Sequence, residues 1–286
     1  MKLRSQLAIL LIAVFLITNT MIGEDMDSYR EAMLEHFKNN IGFDKLPPVE
    51  HSSRGVVVAW PDIRQAPDLG PQWQILADTT WWERNGGIKN QILGRGGERL
   101  VFTIFLAQAG EDAARMFLLD KVSQTTMAAI PYIRGPANLG TLSLTAGQPI
   151  DSVAWYFSNV VFQIEATNTA LNILPLAKSL QSLVEGRLAS NIAAYAPKPR
   201  SVMVSNRNAP IGQTVNVRLV TDQDKGQFNY VLDLEFDRSQ ISILSQNDDA
   251  FTLKGLRPGP AKVIAHLIDK RTLVSSSLTI DLVFSQ

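Results

Sequence analysis

The chain has 286 residues, 45% of them apolar, and its 27 lysines and arginines balance 27 aspartates and glutamates. That length and apolar content support a sizeable core and leave room for two domains. The even charge supplies no basic field for nucleic acid, and the lack of any cysteine excludes thiol catalysis, disulfides and cysteine-ligated zinc.

Lys2 and Arg4 precede an unbroken apolar run from Leu7 to Ile17, after which Thr18, Asn19 and Thr20 restore polarity. A basic head, a short apolar stretch and a polar exit predict a secretory signal peptide over residues 1–23. At about 1.5 Å per residue the run falls well short of a bilayer core of roughly 30 Å. Extended to Ile22, it reads instead as an uncleaved anchor, which is the one membrane contact the sequence suggests. An exported chain without cysteine points to a bacterial envelope, either the periplasm or the cell surface and beyond.

Residues 24–196 are expected to form an α+β domain, an antiparallel sheet with helices packed on it. Met26, Tyr29, Met33 and Phe37 recur at helical spacing until Pro47 and Pro48 break the pattern. Extended segments follow. "QWQILADTTWWER" and "IKNQILG" flank an Asn85-Gly86-Gly87 turn, which predicts a hairpin. "RLVFTIFLA" places Leu100, Phe102, Ile104 and Leu106 on one apolar face. A helix is predicted with Glu111 and Asp112 in its first turn, where their charges complement its dipole, and with a stripe of Ala114, Phe117, Leu118 and Val122. A second helix carries Pro175 in its first turn and the stripe Leu176, Ala177, Leu180, Leu183, Val184 and Leu188.

Between the helices, Val153 to Ala166 reads as a hairpin turning at Ser158-Asn159. Pairing outward sets Phe157 against Val160, Trp155 against Phe162 and Val153 against Ile164, so one face collects six apolar side chains. The other face collects Tyr156, Val161, Ala154, Gln163, Ser152 and Glu165. A one-residue slip would scramble this sorting, so the first of these faces is assigned to the core.

Pro197 and Pro199 mark residues 197–200 as an extended linker. Beyond it, in residues 201–286, helical periodicity stops and seven short strand patterns alternate with Gly, Pro, Asn and Asp, the signature of a β-sandwich. The Pro210-Ile211-Gly212 turn, Phe236-Asp237, and Leu256-x-Pro258-Gly259 before "AKVIAHL" resemble a bacterial immunoglobulin-like domain of the adhesin and envelope type. The resemblance covers only this last third. It implies an immunoglobulin-like sandwich acting as spacer or interaction module, and names no ligand.

Few residues offer chemistry. The three histidines are His36, His51 and His266. Ser52 and Ser53 adjoin His51 without a nucleophile elbow, and Glu31 with Glu35 reads as a solvated helix face. His266 should point out of the sandwich, because Val263, Ala265 and Leu267 suit its interior. Asp222, Asp224 and Gly226 miss the spacing of a calcium loop. Arg84, Arg95 and Arg99 flank Gly-rich turns that lack the Lys-Ser/Thr of a phosphate loop. No cofactor or metal is expected. Alternation along "QWQILADTTWWER" places Trp73, Ile75, Ala77, Thr79 and Trp81 on one face, and Asp78, Thr80 and Trp82 on the other. Trp82 and Asp78, joined by Tyr156, Gln163 and Glu165, are expected to form an open polar-aromatic platform suited to glycan or peptide contact. Trp82 should then be partly exposed, and Trp81, Trp155 and Phe162 buried. The reading is an exported, non-enzymatic binding, adhesion or structural protein whose partner is an envelope glycan or protein. The alternative is an envelope hydrolase with its site in the α+β domain.

Overall fold

The computed structural model describes residues 35, 37–42, 45–46, 54–65, 69, 72–83, 85–108, 110–126, 132–167, 171–221 and 230–286. The predicted signal segment, most of the first predicted helix, His36, His51, Arg84 and the 222–226 loop lie outside them. The chain divides into two compact units, Met1–Pro48 and Val49–Gln286. In the first, Phe37–Ile41 form a π-helical turn.

The expectation of an α+β domain followed by an immunoglobulin-like sandwich is corrected. The described residues are mostly β, 53% strand against 18% helical, with several sheets and three α-helices among them. Period-two alternation governs most segments from Gln74 onward, so the helical stripes contribute single packing helices rather than a layer of their own.

In the second unit β1 (Gly55–Val56) pairs with β9 (Leu188–Ala189) as a small ribbon. The principal sheet has seven strands in the order β2-β3-β4-β8-β7-β6-β5. Their ranges are β2 Gln74–Glu83, β3 Gly86–Arg95, β4 Glu98–Ala107, β5 Ile133–Arg134, β6 Leu142–Ala146, β7 Ser152–Phe157 and β8 Val160–Thr167. β7 and β8 carry the register set by the sequence alternation, with Trp155 opposite Phe162 and Val153 opposite Ile164. Ser158 turns the chain at φ 54°. Asn159 is fully buried and does structural work there. Its Oδ1 accepts the Val56 N–H at 2.6 Å, and its Nδ2 donates to the Ala107 carbonyl at 3.3 Å.

One sheet face bears Leu100, Phe102, Ile104 and Leu106 of β4 with Val153, Trp155, Val160, Phe162 and Ile164 of the hairpin. Helix α3 (Ile173–Glu185) lays Ile173, Leu176, Ala177, Leu180 and Val184 against it. Asn172 caps this helix by accepting the Leu174 N–H. The fully buried Trp155 stacks on Phe162 at 4.9 Å and donates its indole N–H to Gln181 of α3 at 2.9 Å. Trp60 and Ile63 of α1 (Trp60–Gln65) complete this core. On the opposite face α2 (Glu111–Thr126) stacks Phe117 on Phe105, ring centroids 3.9 Å apart. Among the described residues no helix is long and apolar enough to cross a membrane.

The remaining strands form two four-stranded sheets around a second core that includes Val217, Phe251, Val263 and Ile280. One sheet joins β10 (Pro199–Val204), β12 (Thr214–Thr221), β15 (Ala250–Gly255) and β14 (Ile241–Gln246). The other joins β11 (Asn208–Pro210), β17 (Ser275–Ser285), β16 (Gly259–Asp269) and β13 (Tyr230–Phe236), with β11 parallel to β17. These sheets do not stand apart from the principal one. Ile268, Leu273 and Val274 belong to the core built on β4 and the hairpin. A Cβ on Gly87 would come within 2.8 Å of Ile268 and of the Leu273 carbonyl. Gln108 donates to the Ser275 carbonyl at 3.0 Å, and Ser276 donates to Pro197 O. Residues before and after the 197–200 segment therefore share one packed interior.

Candidate functional site

The five residues expected to make a platform fall on two faces. The strand register from β2 across β3, β4 and β8 to β7 decides it. Trp82 lies opposite Gly87, then Leu106 and Val160; Asp78 lies opposite Gln91, then Phe102 and Ile164. Both therefore sit on the face that carries the principal core. Tyr156, Gln163 and Glu165 occupy the other face, where the tryptophan that joins them is Trp81, aligned through Ile88, Phe105 and Val161 with Tyr156. A β-bulge between Ile75 and Ala77 also breaks the simple alternation. Trp73 is thereby buried with the core, while Ala77, Thr79 and Trp81 turn to the second face. Trp81 is half-buried rather than core, and its indole N–H reaches Glu83 at 3.3 Å.

At the β2 edge of the core face, Lys89 and Gln91 are buried polar residues that the sequence reading missed. Lys89 Nζ meets Asp78 Oδ1 at 2.5 Å, lies 3.4 Å from Thr80 Oγ1 and stands 5.0 Å from the Trp60 ring centroid. Gln91 donates to the second Asp78 oxygen at 3.2 Å. Asp78 thus neutralises a buried cation and satisfies a buried amide, which makes it a structural residue. A signal was present: Lys89 and Gln91 alternate with Ile88 and Ile92, so one of those two sets had to face the core.

Trp82 is half-buried at the joint with the C-terminal sheets. Its ring stacks on His266, centroids 4.0 Å apart and planes 10° from parallel, and its backbone N–H donates to Asp233 Oδ2 at 2.7 Å. His266 points away from the second core and is only 4% exposed, because Trp82 covers it. Its Nδ1 lies 2.8 Å from Ser277 Oγ and its Nε2 3.2 Å from Glu235 Oε2. Beside them a cavity of about 260 Å³ is lined by Trp82, Asp233, Glu235, Phe236, Arg238 and His266. A serine, a histidine and a carboxylate in line resemble a nucleophile with its base and orienting acid. Ser277, however, lies mid-strand and directly opposite His266 in the β16–β17 ladder, not on a sharp turn facing a pocket. The three residues pack a joint.

The second face is more open. Thr79, Asn90, Thr103 and Gln163 stand in register across four adjacent strands. Thr79 is exposed, and the other three are half-buried. Asn90 donates to Thr103 at 2.9 Å, and Gln163 donates to Glu165 at 2.6 Å. Tyr132 shares a 2.5 Å bond with Ser152 and accepts a longer one from Gln163. Burial pushes the Glu165 carboxyl above its ordinary range, against the Gln163 hydrogen bond and with help from nearby Asp151. Burial likewise raises the Tyr132 phenol. Tyr156, deeper under α2, accepts from Arg115 at 3.1 Å, and burial raises both its phenol and the Glu111 carboxyl nearby. The surface therefore offers hydroxyls and amides in a row, flanked by half-buried Ile92 and Val101, with Glu165 beside it. Among the described residues no group of three or more His, Asp and Glu side chains gathers to hold a metal.

No protein-family model matches the chain, and no curated protein matches it. A solved structure described as a polysaccharide lyase aligns over 80% of this chain at 9% identity, with a TM-score of 0.23. The chain spans 28% of that protein's length.

Proposed function

We propose that this is an exported protein of a bacterial cell envelope that binds rather than catalyses, and that its ligand is an envelope glycan held on the second face of the seven-stranded sheet. The observation that carries the reading is the row Thr79, Asn90, Thr103 and Gln163, in register across four strands and partly open to solvent. Strands about 4.8 Å apart space these groups evenly along a line across the sheet. Neutral donors and acceptors at such intervals, beside aliphatic surface, suit a hydroxyl-rich chain better than a charged one. The C-terminal sheets serve in this reading as spacer or interaction module. The basic head and apolar run at Lys2 to Ile17 support export.

Binding of the full chain to an array of envelope glycans tests the site. Thr103→Val combined with Gln163→Leu should weaken retention about tenfold or more while the circular dichroism spectrum stays unchanged. Undiminished retention overturns the assignment. N-terminal sequencing of protein from cell fractions tests export: the mature chain should begin between Asn19 and Met26, and an intact Met1 in the cytoplasm refutes it.

A further inference from the structure

We infer that His266 makes the docking of the seven-stranded sheet on the C-terminal sheets depend on pH, firm while the ring is neutral and looser once it takes a proton. The contacts around this residue connect four strands. Trp82 of β2 stacks on the ring, Asp233 of β13 holds the Trp82 N–H, Glu235 of β13 meets Nε2, and Ser277 of β17 meets Nδ1.

The hydrogen bonds define the neutral state. Glu235 can only accept, so Nε2 carries the proton; Nδ1 is then bare and accepts from the Ser277 hydroxyl. A second proton must go on Nδ1, which turns the Ser277 hydroxyl around and leaves a full charge beneath the Trp82 ring. The charged groups facing the ring are Asp233 and Glu235, with Arg238 lining the same cavity; β2 presents only Trp82. The Glu235 side chain is 65% exposed, so water screens much of its pull, and the Asp233 carboxylate already accepts two backbone N–H bonds. Burial accordingly holds His266 below its ordinary value, with Glu235 and then Asp233 opposing. An undocked His266 keeps Glu235 and Ser277 of its own sheet but loses the cover of Trp82, so water reaches the ring and it takes its proton more readily. The docked state therefore keeps its full stability above about pH 6.5 and loses it progressively as pH falls below that.

Amide exchange of the full chain at pH 7.5 and 5.5, corrected for intrinsic rates, reads the joint at the Trp82 amide and along β13. In the wild type, protection there should fall about threefold or more on acidification, while the β7–β8 hairpin is unaffected. His266→Gln, which keeps a donor and an acceptor but cannot titrate, should show no such fall. Glu235→Gln removes that carboxylate but keeps the titrating ring, so it should still show a fall on acidification that His266→Gln lacks. Equal losses in wild type and His266→Gln would assign the effect to the carboxylates and overturn the inference. So would a rise in wild-type protection, or the absence of any fall in Glu235→Gln, a result that stands even if His266→Gln fails to fold.

Discussion

Replacing Trp82 by alanine measures whether the joint described above holds in solution. On strand alternation alone Trp82 would be a partly exposed surface residue, and its loss would change stability by only about 0.5 kcal/mol. The structure gives a larger number. The stack on His266 at 4.0 Å is worth about 0.5–1.5 kcal/mol beyond area. Truncating a fully buried aromatic costs about 3–5 kcal/mol, and a half-buried ring forfeits roughly half of that. The sum for Trp82→Ala is about 2–4 kcal/mol, before counting the exposure of His266 to water. At roughly 2–4 °C per kcal/mol for a chain of this size, the melting temperature should fall by about 4–16 °C. Trp155→Ala is the internal standard. It empties a fully buried site and orphans the Gln181 acceptor, so it should cost about 5 kcal/mol or more, or prevent folding. Calorimetry of the two variants against wild type decides. A Trp82→Ala melting point within about 1 °C of wild type would refute the docked arrangement.

Three further outcomes follow from single contacts. Asn159→Ala should destabilise by about 2–3 kcal/mol in urea titration, because the Val56 N–H loses its partner inside the core; a change under about 0.5 kcal/mol would contradict the bonding. Gly87→Leu should lower the melting temperature sharply, since its Cβ meets Ile268 and backbone of Leu273, whereas Gly97→Leu, with open space around its Cβ, should not. Glu165 has a raised folded-state value, so it favours folding when protonated and loses that contribution as pH rises. Glu165→Gln should therefore be more stable than wild type at pH 8, with the advantage fading toward pH 4, and a constant difference across that range would sink the argument.

The hairpin at Val153–Ala166 was legible because six large apolar side chains sort to one face only in one register. Individual strands of the principal sheet were legible for the same reason. The relation between strands was not. Alternation says which residues of one strand share a face, but nothing about which face of the next strand continues it. Trp82 was thus joined to Gln163 and Glu165, when the register passes it through Gly87 to Leu106 and the core. Two local features deepened the error. The bulge at Ile75–Ala77 shifts parity within β2, and Lys89 places a charge where the core face calls for an apolar residue, a mismatch resolved only by Asp78 on the neighbouring strand. The overall β content exceeded expectation because each helical stripe amounts to one helix against seven strands. His266 does lie outside the second core, but its cover comes from a residue 184 positions earlier, and such distant pairing leaves no trace in local pattern.

The placement of Ile268, Leu273 and Val274 in the core of the first sheet has a bearing on timing. These residues are made after nearly everything they pack against, so a chain emerging from its N-terminal end carries an unsealed interior until the last turn before β17 is available. Leu100, Phe102 and the Trp155 hairpin wait for them across more than a hundred residues. Completion of this core is therefore a late event that waits for the segment just before β17.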